Sequence, residues 1–418
     1  MKNLIIQDTK NKSFIFKDDF ASPLLQEIKD PYELSLTYNK LPIIPFFGSN
    51  EDSSDIVLNL LHRVHETTPA SRACTKSILE FTVGAGFELT KKSRLFKFQD
   101  EITDDEKLNF EEILYQHLYD TDLNNLVEDA ALNLLIDGNA FFKLEISNDL
   151  FKISKFDTTK VRYTVDKKHV IYSNSFRSDY ILSQKPILYP VFPNYSNNDG
   201  VITTVFHAKV KSPSRDYYGL SSGSSSLLHQ YLSNQLMYYV SAETDNRFTG
   251  KVFFDTELSE TDSENDIGDA NFQFLEHMKK VYTNKGAERS SVLARFREKG
   301  ISPTSVTQFN AKTDEGFYKA MDEILSNQVV ISYAWDKRLI GISRENGLGG
   351  NDMSAIFEVA SQKVKTLQHT VMKTINQCIE LSSKMIGFDA DLQGYQLKLG
   401  NLHQQLMKEK QTQDANNQ

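Results

Sequence analysis

The sequence has little cysteine and no long apolar run, and both shortages exclude classes of protein. Its 418 residues include two cysteines, Cys74 and Cys378, which are too few for a disulfide framework or a cysteine-rich zinc site. No stretch reaches the about 18 apolar residues of a membrane-spanning helix. The apolar run at residues 4–6 is too short for a signal peptide, so we expect neither a leader nor a membrane anchor.

The chain also lacks net positive charge. Lysine and arginine number 47 against 56 aspartates and glutamates, which gives a net charge of −9. This balance argues against a protein that coats nucleic acid through its overall charge, but it allows a channel that DNA passes without being held. The acidic residues are concentrated at 99–129 and 255–269, and a basic block lies at 277–299.

Hydrophobic periodicity predicts a mixed α+β protein. Apolar residues at spacings of three and four predict helices, whereas residues 150–210 are rich in Val, Ile, Tyr, Thr and Phe and predict short strands. We expect the arm at 1–50 to be irregular and the end at 401–418 to fray. The predicted helices lie at about 56–64, 69–84, 105–119, 122–137, 223–246, 313–335 and 352–386, and the clearest strands at 87–90, 141–146 and 201–210.

Residues 219–223 fit the G-x-S-x-G pattern of a nucleophile elbow, in which a strand delivers a serine to a sharp turn. A loop with Pro213 separates the last predicted strand from this pattern, so we interpret it as a helix start capped by serine. The alternative is a serine hydrolase with Ser221 as its nucleophile. The candidate bases of that hydrolase are His229, His277 and His369.

Three further patterns fall short of a site. Acidic residues alternate at 262–266 as in a calcium-binding loop, but Ile267 stands where that loop needs glycine, which favours a solvated loop. His62 and His65 lie three residues apart, unlike the histidines of a zinc peptidase helix, and are interpreted as surface or packing residues. No phosphate-binding loop motif is present. The sequence therefore predicts no enzyme, no metal site and no cofactor.

Four stretches, taken in order, carry a resemblance to a known family. They are residues 69–87, LLIDGNAFFKL at 134–144, residues 207–227 and residues 335–357. They resemble, in the same order, the early helix, the junction of a helix, a Gly-Asn pair and an aromatic strand, the His-loop-Gly-Ser helix start, and the loop before the long helix of the portal (head–tail connector) proteins of tailed bacteriophages in their smaller form. The stretch at 134–144 is the most specific of the four. Lys337 and Arg338 depart from the family because they replace the usual proline of that loop.

The resemblance implies an elongated portal-type subunit that assembles as a cyclic ring. Its parts would be an α/β wing, a helical stem, a small α/β clip, a tunnel loop and a long helix that crosses the wing. The corresponding ranges would be 1–222 for the arm and wing, 223–249 and 313–336 for the stem helices, 250–312 for the clip, 337–351 for the tunnel loop, 352–386 for the wing helix and 387–418 for a short crown or tail.

The function that the resemblance implies is mechanical. About twelve copies would form a ring at one capsid vertex, through which the packaging motor inserts and the tail releases double-stranded DNA. The implied partners are further copies of the chain, the major capsid protein, the large terminase subunit, a head–tail adaptor protein and the passing DNA, with no membrane. The ring would be assembled in the host cytoplasm and would reside at the portal vertex of the virion. A capsid adaptor without a pore is a further alternative.

Two sets of residues would act in such a ring. The tunnel-loop set would touch DNA weakly, because strong phosphate contacts would stall translocation. The alternative is that its basic members pair with Glu345 or with a neighbouring subunit. This set comprises Lys337, Arg338, Arg344, Glu345 and Asn346. The clip set would contact the motor or adaptor, or attract the acidic block of a neighbouring subunit; the alternative is a solvated loop beside a basic helix. This set comprises Lys279, Lys280, Lys285, Arg289, Arg295 and Arg297.

Overall fold

The structure is a computed structural model, and it divides the chain into two compact units. Unit 1 comprises Met1–Leu227 and Val329–Gln418, and unit 2 is the continuous insertion Leu228–Gln328. The structure describes residues 5–8, 13–16, 37–38, 41–46, 56–91, 102–174, 176, 185–213, 215–245, 253–257, 293–297, 315–341, 350–388, 392 and 394–416.

Helices and strands are mixed along the chain, which confirms the predicted α+β class at this level. The helices are α1 (Ile56–Thr67), α2 (Pro69–Val83), α3 (Asp104–His117), α4 (Leu123–Ile136), α5 (Leu227–Asp245), α6 (Glu315–Ser332), α7 (Gly350–Lys363), α8 (Lys365–Ile386) and α9 (Leu402–Asn416). Short 3-10 helices cover Thr158–Lys160, Ser222–Ser226 and Lys337–Ile340.

The strands form several small sheets. They are β1 (Ile5–Asp8), β2 (Ser13–Phe16), β3 (Thr37–Tyr38), β4 (Leu41–Ile44), β5 (Phe87–Lys91), β6 (Asn139–Ser147), β7 (Leu150–Phe156), β8 (Val161–Thr164), β9 (His169–Tyr172), β10 (Ile187–Pro190), β11 (Ser196–Asn198), β12 (Val201–Lys209), β13 (Phe253–Glu257), β14 (Leu293–Arg297) and β15 (Tyr395–Leu399). One antiparallel sheet has the order β10-β9-β8-β4-β3 and another the order β11-β12-β6-β7, while β1-β2, β13-β14 and β15-β5 are two-stranded.

The four-stranded sheet of unit 1 is buried on both faces. Successive side chains of a strand alternate between its faces, and β6 carries apolar residues at both sets of positions. Phe142 and Leu144 join a cluster with α4 and α8. Phe141 joins a second cluster with α1 and the five-stranded sheet. A third cluster links α2, the end of α6 and Trp335. The four-stranded sheet is therefore the central layer of unit 1.

The arm is more regular than its sequence indicates. We expected residues 1–50 to be irregular, but β1 pairs with β2, and β4 joins the five-stranded sheet beside β8. Ile43 lies opposite Thr164 in that pairing, and both Ile43 and Ile44 are buried. The four-residue strand is held by a partner far along the chain, so the local sequence gives little signal for it.

The C-terminal part agrees with one expectation and differs from another. The helix predicted at 352–386 corresponds to α7 and α8, which meet at Val364 with near-helical torsions of φ −73° and ψ −14°. Hydrogen bonds from the Val364 amide to the Ala360 carbonyl and from the Gln368 amide to the Val364 carbonyl continue across this point. Val364 packs into the third cluster, and no glycine or proline marks this point. The terminus at 401–418 forms α9 rather than fraying, and Leu402 packs against the same cluster.

Two parallel strands, β13 and β14, are described within unit 2. Their register places Asp255 opposite Arg295 and Glu257 opposite Arg297. Members of the acidic and basic blocks therefore meet along the backbone within one subunit. The boundaries predicted for wing, stem, clip and crown stay predictions.

Candidate functional site

The chain leaves unit 1 at Leu227 and re-enters it at Val329, and the segments beside both points meet in what we call the base. The base comprises residues 137–139, 219–226 and 329–335. Its parts come from the end of α4, the start of the outgoing helix α5 and the end of the returning helix α6. The following contacts all lie in unit 1.

Two glycines bring backbones into direct contact at the base. Gly138 ends α4 with φ +85°, and a Cβ on it would lie 2.6 Å from the carbonyl carbon of Leu220 and from the amide nitrogen of Ser221. A Cβ on Gly219 would lie 2.3 Å from the carbonyl oxygen of Gly138 and 2.6 Å from that of Val210. Real Cβ atoms do not approach backbone so closely, so only glycine fits both positions.

Asn139 joins these two segments by side-chain hydrogen bonds. Its Nδ2 donates to the carbonyl of Asp137 at 2.9 Å and to that of Gly219 at 3.2 Å, and its Oδ1 accepts from the Gly219 amide at 2.6 Å. Nε2 of His207 lies 3.0 Å from the same Oδ1, and Nδ1 of His207 lies 3.0 Å from the hydroxyl of Tyr163. Burial lowers the pKa of His207 well below its usual value, so the ring is neutral here.

Asp137 is a fully buried carboxylate surrounded by donors. Its Oδ1 accepts from the Asn139 amide at 2.8 Å, and its Oδ2 accepts from Thr158 Oγ1 at 2.5 Å. Nε2 of His62, on α1, lies 2.9 Å from Oδ2. Burial alone lowers the pKa of His62, but the hydrogen bond and the charge of Asp137 outweigh burial and raise it above its usual value. The pair therefore ties α1 to the end of α4.

The outgoing segment begins with a serine cap. Ser221 Oγ accepts from the Ser224 amide at 3.1 Å and donates to the Ile136 carbonyl at 2.7 Å. This confirms the interpretation of residues 219–223 as a capped helix start. The hydroxyl proton is directed to a backbone carbonyl rather than to an imidazole, so the geometry does not form the nucleophile–base pair of a hydrolase. Of the candidate bases, His369 is exposed on α8, and His277 lies outside the described residues.

The returning segment is tied to the outgoing one and to α2. Ser332 Oγ donates to Ser226 Oγ at 2.8 Å. The hydroxyl of Tyr333 lies 3.0 Å from Ser71 Oγ, which in turn lies 2.9 Å from Nδ1 of His65. Burial raises the pKa of Tyr333 to about 12, so its hydroxyl keeps its proton. The two ends of the insertion are thus fastened to each other within unit 1.

Trp335 completes this attachment. Its Nε1 donates to Ser77 Oγ at 3.1 Å, and its ring lies edge-on to Phe81 with 5.5 Å between centroids. Phe81 also lies 5.1 Å from Phe357 on α7. Since Trp335 is the single tryptophan of the chain and is 8 % exposed, its fluorescence reports directly on the packing of the base.

The buried His65 makes stability depend on pH. Burial lowers its pKa to about 4 from 6.5, so the folded protein keeps the ring neutral while the unfolded chain binds a proton near pH 6.5. A lowered pKa in the folded state stabilises the protein above pH 6.5, and this stabilisation is lost as the pH falls from 6.5 toward 4. We expect His65 to account for a loss of about 2 kcal/mol in unfolding free energy between pH 7.5 and pH 5.

Urea unfolding at the two pH values, followed by Trp335 fluorescence, measures this loss. His65→Asn removes the titration and keeps a polar group beside Ser71, so the loss should be smaller by about 2 kcal/mol. His62 acts in the opposite sense: its raised pKa stabilises the fold below pH 6.5, and that stabilisation fades as the pH rises through the raised value. An unchanged pH dependence in His65→Asn would contradict the assignment.

The structure describes part of the predicted tunnel-loop and clip sets. Arg338 forms two hydrogen bonds with Asp336, from Nε to Oδ1 at 3.0 Å and from a terminal nitrogen to Oδ2 at 2.7 Å. This partner was not among those considered from the sequence. Lys337 begins the 3-10 helix that Asp336 caps. Their proposed contact with DNA stays a prediction.

The remaining predicted residues are placed only in part. Arg295 and Arg297 lie on β14, opposite Asp255 and Glu257. The others lie outside the described residues; they are Arg344, Glu345, Asn346, Lys279, Lys280, Lys285 and Arg289. The acidic stretch 262–266 also lies outside them. Within the described ranges, no group of three or more His, Cys, Asp or Glu side chains could hold a metal ion, and no helix is long and apolar enough to cross a membrane.

The sequence indicated the segments of the base but not the side chains that hold it. Asp137 and Asn139 stand in the stretch with the most specific resemblance, yet their partners His62 and Gly219 lie 75 and 80 positions away. The Asp-Gly-Asn triplet is the signal that could have drawn attention to them, because a glycine between two short polar residues is typical of a tight turn.

Of the comparisons with known proteins, the one with solved structures finds matches. No protein-family model matches the chain, and no curated protein matches it. The virion of a native gene transfer agent particle is similar with 15 % identity, coverage of 86 % of this chain and 88 % of that chain, and a TM-score of 0.45. The neck of an empty particle with C6 symmetry has 13 % identity, coverages of 82 % and 83 %, and a TM-score of 0.47.

The neck of the native particle with C12 symmetry is also similar, with 13 % identity, coverages of 82 % and 83 %, and a TM-score of 0.44. These solved structures are all described as a virion or its neck.

Proposed function

We propose that the chain is a subunit of a portal-type ring, a head–tail connector through which double-stranded DNA enters and leaves a capsid. The observation that carries the proposal is the convergence of the four stretches that resemble this family. Asn139 of one stretch bonds Gly219 of another, and Trp335 of the last bonds Ser77 of the first. Leu135 packs against the cluster around Trp335 and so joins the two pairs. Chance likenesses in unrelated segments would not be expected to meet in one place.

The base also supports the assignment of the insertion. Helix α5 leads out of the base and helix α6 leads back, and the two strands described between them belong to unit 2. In the proposed subunit these helices are the stem and the strands belong to the clip. The bond between Ser226 and Ser332 suits a stem, because it fixes where both helices start from unit 1.

The charge distribution supports a conduit that DNA slides past. Each phosphate that a protein neutralises adds affinity through counterion release, so a strongly basic wall would hold DNA. The chain has a net charge of −9, and Arg338 is already engaged by Asp336 in the part of the tunnel loop that the structure describes. We propose that residues 337–351 line the channel with weak contacts, and that the clip meets the packaging motor and later the adaptor.

Assembly tests this function directly. We expect the purified protein to form rings of about 570 kDa, which corresponds to about twelve copies of the 47.8 kDa chain in closed rotational symmetry. Mass photometry gives the mass, and negative-stain electron microscopy should show a central hole. A monomer at every concentration and salt condition would refute the proposal. A closed assembly without a hole would instead favour the capsid adaptor without a pore.

A further inference from the structure

One side of helix α3 holds two large apolar side chains in water. Leu108 and Tyr115 lie one heptad apart, so they point in the same direction from the helix, and they are 63 % and 68 % exposed. The opposite side of the helix buries Phe110 and Leu114 in the cluster with α4 and α8. That inner side attaches α3 to unit 1, and the exposed pair lies outside this packing.

Two carboxylates stand between the exposed apolar side chains. Glu111 and Glu112 are each three or four residues from both Leu108 and Tyr115, so they are neighbours of both on the helix surface. Both glutamates are exposed, and within the part of the chain that the structure describes neither forms a hydrogen bond or an ion pair. The helix dipole favours carboxylates in the first turn of a helix, but this pair lies in the second half of α3. We call these four residues the α3 ridge.

The segment that follows α3 shows how such a combination takes a cation. Tyr119 is exposed, and Nζ of Lys152, on β7, lies 5.5 Å from the centroid of its ring. The same ammonium group donates a hydrogen bond to Asp120. An aromatic ring beside a carboxylate thus holds an ammonium group in this chain. The α3 ridge repeats the combination at Tyr115, where the described residues supply no cation.

We infer that the α3 ridge is a docking surface for a basic amphipathic helix of another protein. Two apolar side chains one heptad apart on that helix cover Leu108 and Tyr115, which are separated by about 10 Å along α3. Lysine or arginine beside them pairs with Glu111 and Glu112. One occupant of this chemistry therefore removes apolar surface from water and also relieves the repulsion between the two neighbouring carboxylates.

Charge and geometry exclude two other occupants. A second α3 ridge would bring like charges together, which disfavours a contact between two copies at this surface. An extended strand binds through main-chain hydrogen bonds at a sheet edge, whereas the backbone of a helix is bonded internally. The inference is independent of the proposed ring, because α3 belongs to unit 1 and the argument uses the exposed side chains beside and after it.

A designed peptide tests the surface on the full-length protein. The probe is a fluorescein-labelled helix of 14 residues with leucine on one face and lysine on the other, and fluorescence anisotropy in 50 mM NaCl follows its binding. We expect saturable binding, and about tenfold weaker binding of a counterpart with serine in place of leucine. A counterpart with glutamate in place of lysine should not bind, because its charges would face Glu111 and Glu112. Equal binding of all three peptides, or of none, would overturn the inference.

The apolar part of the α3 ridge is tested by Tyr115→Ser. Loss of this aromatic anchor should weaken binding of the leucine–lysine peptide about tenfold. Tyr195→Ser is the matched control, because Tyr195 is 56 % exposed and precedes β11, at the opposite edge of the four-stranded sheet from β7. Leu118, directly after α3, bridges to Phe151 of β7. The control should leave the affinity unchanged, and an equal loss in both variants would contradict the assignment.

The acidic part is tested by combining Glu111→Gln with Glu112→Gln. Binding should weaken about fivefold in 50 mM NaCl and by less in 500 mM NaCl, because salt screens exposed charges. Asp322→Asn with Glu323→Gln is the matched control, since it removes two exposed neighbouring carboxylates from α6 in unit 2 and changes the net charge equally. Equal weakening in the two double variants would mean that overall charge attracts the peptide, which overturns a localised docking surface.

The state of assembly is measured alongside the titrations. Mass photometry reports whether the protein is monomeric or assembled, and circular dichroism with Trp335 fluorescence checks that each variant remains folded. Binding in either state, lost selectively in the α3 variants, would support the inference whether or not rings form. Binding by monomers that disappears on assembly would mean that a further copy of this chain covers the α3 ridge, which overturns its assignment to another protein.

Discussion

Substituting alanine for Gly138 is expected to lower the free energy of unfolding by about 4 kcal/mol. The left-handed conformation at φ +85° costs alanine about 1 kcal/mol, and forcing a Cβ against rigid neighbours adds about 3 kcal/mol. The neighbours are backbone atoms of Leu220 and Ser221, which cannot swing away as the end of a flexible side chain could. Urea unfolding followed by Trp335 fluorescence measures the change.

Gly200 provides the matched control for this substitution. It has nearly the same conformation, φ +82°, but a Cβ there would meet nothing within 4 Å. Gly200→Ala should therefore cost about 1 kcal/mol, the conformational part alone. Equal losses in the two variants would show that the close approach of the backbones at the base contributes nothing. A large loss in Gly138→Ala alone would establish the contact as the reason for glycine.

Substituting Asp137 is expected to have an effect of similar size. Asp137→Ala leaves the Asn139 amide, the Thr158 hydroxyl and the His62 ring without their buried acceptor. Removing one partner of a buried pair costs about 3–5 kcal/mol, because the groups left behind stay desolvated. Asp137→Asn keeps the shape and one acceptor oxygen, so it should lose about half as much. The pKa of His62 should fall in both variants, since burial is then opposed only by the charges of Asp157 and Glu66.

NMR titration of the His62 ring and urea unfolding check the two parts of this prediction. Asp336→Asn is the control, because Asp336 also accepts three hydrogen bonds, but they come from the amide and the exposed side chain of Arg338. Exposed ion pairs contribute about 0–1 kcal/mol, so this control should change stability little. A His62 titration unaffected by Asp137→Asn would mean that the carboxylate does not set its pKa.

Local signals in the sequence predicted most of the helices. The run of apolar residues in α4 and the cap at Ser221 are properties of neighbouring residues, and both agree with the structure. β4 could not be predicted in the same way. Its sequence LPII gives little local signal, and its partner strand β8 lies more than a hundred positions farther along the chain. The division between α7 and α8 at Val364 carries no glycine or proline, so the sequence has no local signal for it.

The candidate site likewise combines residues that the sequence indicated with contacts that it did not. Gly138, Asn139 and Gly219 stand in stretches that the resemblance selected, but their roles follow from contacts between segments that are distant in sequence. Ser332 is the last residue of α6 and Tyr333 follows it in a turn. Neither belongs to a charged or catalytic motif, so a search for such motifs does not select them. Neutral hydroxyls and glycines carry little signal on their own, and only the fold shows what they touch.

The bond between Ser226 and Ser332 has a consequence for how such a chain can change over time. The two ends of the insertion at residues 228–328 are fastened together inside unit 1. Insertions of this kind are tolerated best where both ends sit close together, so the segment can lengthen, shorten or be replaced while its host remains folded. We therefore expect unit 2 to tolerate changes in length and sequence better than unit 1.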